Sequence, residues 1–265
     1  MAMSLAHSVL LGLVQGLTEF LPVSSSGHLV LVQRFIEFRG PALAIDSLLH
    51  FGTLMAVLVY FRSEIMLVLR SIGRWLRTRE RDDHTTIAAY LVVASVPAAV
   101  AGIAFEDLFS HAFNSTAVVG VMLFVTGAIL WIIEGWTETN RPLEKMSLSD
   151  SVWVGLAQMA AIMPGLSRSG STIAAGMWRG VAREDAARFS FLLAVPIIAG
   201  ATVYELLGTS LAGVEPTAAA AGVAAAAFSG FVAIALLMKV IREQKLRLFS
   251  VYCFIVGSVA IAVSL

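Results

Sequence analysis

Six apolar segments constrain this chain more than any other feature of its sequence. A hydrophobic α-helix needs about 20 residues to cross a bilayer, and each segment is close to that length. The six segments are Leu43–Phe61, Ile87–Phe105, Thr116–Glu134, Ala186–Leu207, Thr217–Met238 and Leu248–Leu265. The composition agrees, because 58% of the residues are hydrophobic and only 14% are charged, against about 25% charged in soluble domains. The sequence therefore predicts an all-α polytopic membrane protein, with residues 1–265 forming one integral membrane domain.

Two polar stretches lie in the remaining apolar sequence, and they repeat one another. The first runs from Gly12 to His28 and the second from Gly155 to Thr172. Aligned without gaps, they share Gly12/Gly155, Leu13/Leu156, Gln15/Gln158, Ser24/Ser167, Ser26/Ser169 and Gly27/Gly170. Polar and ionisable groups are costly at membrane depth, so they indicate a functional site.

The segments that hold these stretches, Leu5–Glu37 and Ser151–Arg183, are not simple spans. Each is interrupted by proline, at Pro22 in the first and at Pro164 in the second, where Gly165 follows. The resulting pieces are too short to cross a bilayer but suit a helical hairpin that enters and leaves on one side. The sequence therefore predicts two re-entrant helical hairpins beside the six transmembrane helices.

Loop charges predict how the segments are oriented. The connection from Arg62 to Arg81 carries six arginines and Lys239–Arg247 carries four basic residues, whereas 106–115 and 208–216 carry neither Lys nor Arg. The positive-inside rule places the first two loops in the cytoplasm and the other two outside. The hairpins then enter from opposite sides, so residues 1–135 and 150–265 form an inverted-topology repeat. In such repeats the site lies where the broken helices meet, near mid-membrane.

The residue types in the two stretches suit a phosphate group. Gln15 and Glu19 are four residues apart and share one face of a helix. The serines that follow Pro22 can cap a new helix beginning near Gly27, whose N-terminus would attract an anion. Arg168 adds a guanidinium that can bind two phosphate oxygens at once.

Other interpretations of these residues remain open. His28 could be a ligand, a base or a hydrogen-bonded core group, and any single membrane-embedded serine could be a packing residue. Asp46 and His50, one turn apart on a span, could be structural or functional. The arginines between Arg62 and Arg81 are interpreted as a solvated cytoplasmic face.

Composition also excludes several function classes. The formal net charge is zero, so the chain has no overall positive field to attract nucleic acid. Cys253 is the only cysteine, which excludes an internal disulfide and a cysteine-based metal cluster.

The two stretches resemble the signature motifs of a known family. Residues Gln15–His28 and Pro164–Thr172, together with the segment that begins at Arg188, are similar to the bacterial undecaprenyl-diphosphate phosphatases of the bacitracin-resistance type. The resemblance implies hydrolysis of undecaprenyl diphosphate to undecaprenyl phosphate and inorganic phosphate, which recycles the lipid carrier for cell-wall synthesis and confers bacitracin resistance. It also implies a multi-pass protein of the bacterial plasma (inner) membrane with a site open to the external or periplasmic side. The expected partners are the polyprenyl diphosphate substrate, membrane lipids, bacitracin as a competitor for the substrate, and a second copy in a homodimer.

The same resemblance assigns roles to residues. The catalytic residues it implies are Glu19, Ser25, His28 and Arg168. The substrate-binding residues are Gln15, Ser24, Ser26, Gly165, Ser167, Ser169 and Thr172. Glu19 would also hold a divalent cation, Mg²⁺ or Ca²⁺; because Gln15 stands where the family has Glu or Gln, a site with two carboxylates is in doubt. Ser25 would be the nucleophile, activated by His28 or Glu19, and a water nucleophile is the rival.

A second function class fits the predicted architecture. A polyprenyl-phosphate flippase or transporter would also use an inverted repeat, but it would move lipid without releasing phosphate. A purely structural or binding membrane protein would not need Glu19, His28 and Arg168 together.

Overall fold

The computed structural model describes residues 4–38, 40–135, 140–208 and 214–264, and helices joined by short connections make up these ranges. The helices are α1 (Leu5–Phe20), α2 (Ser25–Phe35), α3 (Ala42–Tyr60), α4 (Arg62–Thr78), α5 (Asp83–Ala104), α6 (Glu106–Phe113), α7 (Thr116–Glu134), α8 (Leu148–Ala160), α9 (Arg168–Trp178), α10 (Arg183–Gly208), α11 (Pro216–Arg242) and α12 (Arg247–Ser264). A short 3-10 turn, Leu143–Lys145, precedes α8. The described part of the chain contains no strand, only an isolated bridge between Arg141 and Val181.

Six of these helices are long and apolar enough to cross a membrane, namely α3, α5, α7, α10, α11 and α12. Each coincides with one of the six predicted spans, with the ends displaced by a few residues at most. The polytopic all-α architecture is therefore confirmed. Leu265, at the end of the last predicted span, lies outside the described residues, as do Arg39 and positions 209–213 of the predicted outer loop.

The two polar stretches form pairs of short helices that break at the expected prolines. In each pair a serine caps the second helix: the Ser24 hydroxyl accepts a hydrogen bond from the Gly27 N–H, and the Ser167 hydroxyl accepts one from the Gly170 N–H. Helix α2 begins at Ser25 rather than near Gly27, because the first serine of the run is the one that caps it.

The connection between α3 and α5 contains a helix that was not predicted. Its arginines are interpreted as a solvated cytoplasmic face, and residues 62–78 form α4. Apolar residues recur there every three or four positions and no proline interrupts them, which favours a helix. Counting arginines predicts the side of the membrane but not the conformation of the segment.

Small residues let the helices approach closely. Helix α1 packs against α11, α8 against α5, and α7 against α12. A Cβ added to Gly12 would collide with the Gly222 carbonyl oxygen of α11, and one added to Gly155 would lie 2.8 Å from the Ala94 carbonyl oxygen of α5. Helices in a bilayer have little hydrophobic driving force to associate, so close backbone contact stabilises their packing instead. These glycines therefore help to fix the positions of the two pairs of short helices.

This packing gives a prediction for Gly12→Ala. Alanine is the better helix former, but its Cβ would push α1 away from α11, and overpacking of this kind costs about 1–3 kcal/mol. We expect a lower midpoint of thermal unfolding in detergent. The matched control is Gly200→Ala in α10, where a Cβ meets nothing within 4 Å, and it should leave the midpoint unchanged or raise it. Equal midpoints for the two variants would contradict the packing argument.

Candidate active site

The two polar stretches meet at the breaks in their helix pairs. A Cβ on Gly27 would lie 3.1 Å from the Gly165 Cα, and a Cβ on Gly170 would lie 3.2 Å from the Pro22 Cβ. The Ser169 hydroxyl also donates to the Leu21 carbonyl oxygen at 3.1 Å. The starts of α2 and α9 therefore lie beside one another, although 143 positions separate Gly27 from Gly170 in the sequence.

Glu19 connects the stretches electrostatically. Its Oε1 accepts a hydrogen bond from Arg168 Nη2 at 2.6 Å, and the side chains are only 6% and 14% exposed. Its Oε2 accepts hydrogen bonds from the Ser25 hydroxyl at 2.5 Å and from Gln15 Nε2 at 3.0 Å. A carboxylate, a hydroxyl and a guanidinium are thus joined at the junction of two helix N-termini.

A cavity of about 230 Å³ opens over this junction. Its lining includes the polar residues Glu19, Ser24, Ser25, Ser26, Ser167 and Arg168. It also includes apolar residues, among them Ala98, Phe113, Ile162 and Ile197. A cavity lined by both charged and apolar side chains suits a ligand with a polar head and a hydrocarbon chain.

His28 does not line this cavity. Its Nδ1 donates to the Ser24 carbonyl oxygen at 2.8 Å, which leaves Nε2 to accept from the Tyr252 hydroxyl, also at 2.8 Å. The backbone of Ser24 has φ +69°, a region that is strained for a residue with a Cβ and that must be held by its surroundings. His28 is placed to hold that turn.

The other predicted residues outside the cavity lining form its support. They are Gln15, Gly165, Ser169 and Thr172. The Thr172 hydroxyl donates to the Arg168 carbonyl oxygen at 2.8 Å and contacts the Ser190 hydroxyl at 2.6 Å. Gly165 has φ +94°, which glycine adopts without strain. Six of the eleven predicted residues therefore line the cavity. The other five, which include His28, lie outside its lining.

The cavity includes two polar residues that the sequence did not assign to it. His50 Nε2 lies 3.6 Å from Glu19 Oε2. Gln158 donates from Nε2 to the Ala94 carbonyl oxygen at 3.2 Å, and its Oε1 is buried without a hydrogen-bond partner in the described residues. The sequence could have indicated both residues, because His50 is a polar residue inside a span and Gln158 is equivalent to Gln15 in the repeat.

Thr126 of α7 is a further residue that sequence reasoning missed. Its hydroxyl donates to the Gly165 carbonyl oxygen and accepts from the Ser167 N–H, both at 3.0 Å. It therefore fixes the turn that leads into α9. A threonine in a span more often bonds to its own helix, so no sequence pattern distinguishes it.

The geometry also bears on the expected divalent cation. Both Glu19 oxygens are engaged by Arg168, Ser25 and Gln15, and the described residues contain no group of three His, Cys, Asp or Glu side chains that could hold a metal ion. One nearby oxygen, Gln15 Oε1, is buried without a partner in the described residues. Since Ca²⁺ and Mg²⁺ need six or more oxygen ligands, these side chains do not form a cation site by themselves.

Comparison with known proteins gives consistent similarities over nearly the whole chain. The family model described as bacitracin resistance protein BacA matches residues 8–259. A protein named undecaprenyl-diphosphatase from Syntrophotalea carbinolica is 44% identical over 265 residues, covering 99% of this chain and 100% of the relative. Proteins of the same name from Desulforapulum autotrophicum and Halothermothrix orenii are each 40% identical, covering 98% and 96% of both chains respectively.

The role of Thr126 leads to a prediction. Thr126→Val keeps the shape of the side chain but removes two hydrogen bonds that hold the turn before Arg168, so we expect turnover to fall about tenfold or more, because misplaced catalytic groups lose rate steeply. The measurement is phosphate release by the purified protein. The matched control is Thr202→Val, because the Thr202 hydroxyl is buried without a partner in the described residues; it should keep its activity. Equal activity in the two variants would show that Thr126 does not help to position Arg168.

Proposed function

The chain belongs to the bacitracin resistance protein BacA family, and we propose that it hydrolyses undecaprenyl diphosphate to undecaprenyl phosphate and inorganic phosphate. The observation that carries this proposal is the buried contact of Glu19 with Ser25 at 2.5 Å and with Arg168 at 2.6 Å. The reaction recycles the lipid carrier of cell-wall synthesis and confers bacitracin resistance, because bacitracin competes for the same lipid.

The polar lining of the cavity would bind the diphosphate. The first N–H groups of a helix have no partner within the helix and attract anions, and α2 and α9 begin at Ser25 and Arg168, which both line the cavity. Ser24, Ser26 and Ser167 supply hydroxyl donors. Arg168 would neutralise charge on the transferred phosphoryl group, where one such donor is worth about 10²–10³ in rate.

Ser25 would act as the nucleophile and Glu19 as its base, which the 2.5 Å contact favours over activation by His28. A diphosphate that approaches Arg168 competes with Glu19 for the guanidinium, and the carboxylate is then free to take the serine proton. The bond from Ser25 Oγ to the terminal phosphorus forms as the bond to the bridging oxygen breaks, and the electron pair leaves with undecaprenyl phosphate.

Water would then hydrolyse the phosphoserine. Glu19 would give its proton back to Ser25 Oγ as the serine leaves, and the phosphoryl group would take up hydroxide from the attacking water. The remaining proton of that water would pass to the Glu19 carboxylate, which releases it to solvent with the phosphate. Gln158 Oε1 is a buried acceptor without a partner in the described residues, and it lines the cavity, so it would hold this water. His28 would act through Ser24, whose strained turn it supports.

We also infer that the two short helix pairs are re-entrant hairpins in an inverted repeat. The helix contacts support this. In the repeat α1 corresponds to α8 and α11 corresponds to α5, and the structure contains both α1 packed on α11 and α8 packed on α5. The breaks between the short helices are related in the same way. Gly27 faces Gly165, and Gly170 faces Pro22. The sequence alignment makes these two contacts equivalent.

Contacts at the two ends of the bundle support the proposed orientation. At one end, Arg188 lies 3.7 Å from Glu64 and Arg242 lies 2.6 Å from Glu184; these residues adjoin the loops assigned to the cytoplasm. The cavity instead reaches Phe113, at the end of α6, in a loop assigned outside. We therefore place the protein in the bacterial inner membrane with its site open to the external side. A homodimer is proposed from the family resemblance alone.

The divalent cation, Mg²⁺ or Ca²⁺, also rests on that resemblance. It would have to be held mainly by diphosphate oxygens, with Glu19 as the protein carboxylate nearest to them. Magnesium sites with one or two carboxylates and substrate phosphates follow this arrangement.

Phosphate release tests the proposed function. Purified protein in vesicles should release inorganic phosphate from undecaprenyl diphosphate, and Arg168→Lys should lose most of this activity, since lysine lacks the planar fork. The alternative, a polyprenyl-phosphate flippase or transporter, would move the lipid to the other leaflet with no phosphate released. Lipid movement without phosphate would therefore overturn the proposal.

The nucleophile has its own test. Acid quenching of a reaction with substrate labelled in its terminal phosphate should trap label on the wild-type protein at Ser25, and Ser25→Ala should neither trap label nor turn over. Ser8→Ala is the control and should still trap label, because it removes a buried hydroxyl that lies outside the cavity lining and has no hydrogen-bond partner in the described residues. Turnover by Ser25→Ala would make water the direct attacker.

A further inference from the structure

Helix α4 is largely exposed. It connects the end of α3 with the start of α5, so it lies where two membrane-crossing helices reach the same membrane surface. Of its 17 residues only Ser71 is buried. Most of the helix therefore faces its surroundings, unlike α1 or α8, whose buried residues pack into the bundle.

The exposed surface of α4 has an apolar strip beside a basic strip. Met66, Leu69 and Leu76 are 47%, 55% and 58% exposed, and their spacing of three and seven places them on one face. Arg70 and Arg74 are four residues apart, and Arg77 follows three residues later, so these arginines share the neighbouring face. Apolar and cationic strips side by side are typical of a helix that lies in a membrane surface.

Helix α4 is held in place by Asp82, the N-cap of α5. Asp82 Oδ2 accepts a hydrogen bond from the Ser71 hydroxyl at 2.8 Å and lies 3.6 Å from Arg74 Nη2. Hydrogen bonds from the Thr85 N–H and hydroxyl, and then from Ser71, lower the pKa of the Asp82 carboxyl to about 2. The carboxylate is therefore an anion at any physiological pH.

The other two arginines of the basic strip are Arg70 and Arg77. They form no ion pair within the described residues, in contrast to Arg74. Beside Arg70, a groove of about 460 Å³ is lined by Arg62, Ser63, Met66, Leu67 and Arg70. A groove with a cation at each end and apolar side chains between them offers a place for a phosphate group attached to a hydrocarbon chain.

We propose that α4 is a binding site for anionic phospholipid, separate from the site for the diphosphate substrate. The exposed leucines and Met66 would enter the acyl region, and Arg70 and Arg77 would pair with lipid phosphate groups. Charge complementarity favours an anionic lipid over a zwitterionic one, since each basic side chain near an anionic surface contributes roughly a fivefold factor in affinity. A lipid surface is favoured over a protein partner because α4 already lies at the level where the spans end.

The test compares lipid binding by the full-length protein in detergent. Native mass spectrometry would count bound phosphatidylglycerol and, separately, phosphatidylcholine at matched concentrations. We expect wild type to retain phosphatidylglycerol preferentially and the double variant R70Q/R77Q to bind it about twenty-fivefold more weakly, two fivefold factors combined. R70K/R77K keeps both charges and should retain most of the preference.

The matched control is K145Q/K239Q, which removes two exposed basic residues predicted on the same side but outside α4. It should bind phosphatidylglycerol like wild type. Unfolding midpoints and phosphate release in detergent should be unchanged in R70Q/R77Q, which separates lipid binding from misfolding and from catalysis.

Three results would overturn the proposal. One is equal retention of both lipids by wild type. Another is equal loss of phosphatidylglycerol in R70Q/R77Q and K145Q/K239Q, which would indicate a general charge effect. The last is binding of inorganic phosphate that matches phosphatidylglycerol in strength and is abolished by R70Q/R77Q, which would make the groove a site for free anions.

Discussion

The ion pair between Glu19 and Arg168 is the interaction on which the site depends. Its partners come from different halves of the chain and lie 2.6 Å apart with little exposure. Removing water from two charges costs several kcal/mol for each ion, and a pair recovers this only with good geometry and further hydrogen bonds. Ser25 and Gln15 supply those bonds on the carboxylate. Either charge alone would be costly to bury, so the pair ties the two helix breaks together.

The close contact of the two breaks is what makes this pair possible. A Cβ on Gly27 would lie 3.1 Å from the Gly165 Cα, so glycine there lets the two breaks touch, whereas a Cβ on Gly165 would collide with the Val119 carbonyl oxygen of α7. Helices α7 and α12 hold the two breaks in place. The Thr126 hydroxyl forms hydrogen bonds with Gly165 and Ser167, on either side of Leu166, and the Cys253 thiol lies 3.7 Å from the Pro22 carbonyl oxygen. The positions of Glu19, Ser25 and Arg168 therefore depend on contacts that lie outside the cavity.

Sequence patterns predicted what depends on length, hydropathy and local chain chemistry. The six spans, the breaks at Pro22 and Pro164, and the serine caps all follow from such local rules. The environment of a side chain does not, because it depends on which helices meet. His28 is three residues from Ser25 in the chain, yet its nitrogens are taken by Ser24 and Tyr252. His50, distant in sequence, instead lies beside Glu19. Helix α4 was not predicted although its apolar residues recur with helical spacing, because the arginines of this segment were interpreted only as a solvated cytoplasmic face and as a signal of topology.

Gln15 shows how one position sets the charge balance of the site. Its Nε2 donates to Glu19 Oε2 at 3.0 Å, which an ionised glutamate could not do because it has no donor. Two carboxylates at this spacing would repel each other unless a cation lay between them. With glutamine in this position, one carboxylate is balanced by one guanidinium. The free site is then electrically satisfied by the protein alone, and in the proposed mechanism an incoming diphosphate would bring the excess negative charge that draws Arg168 away from Glu19.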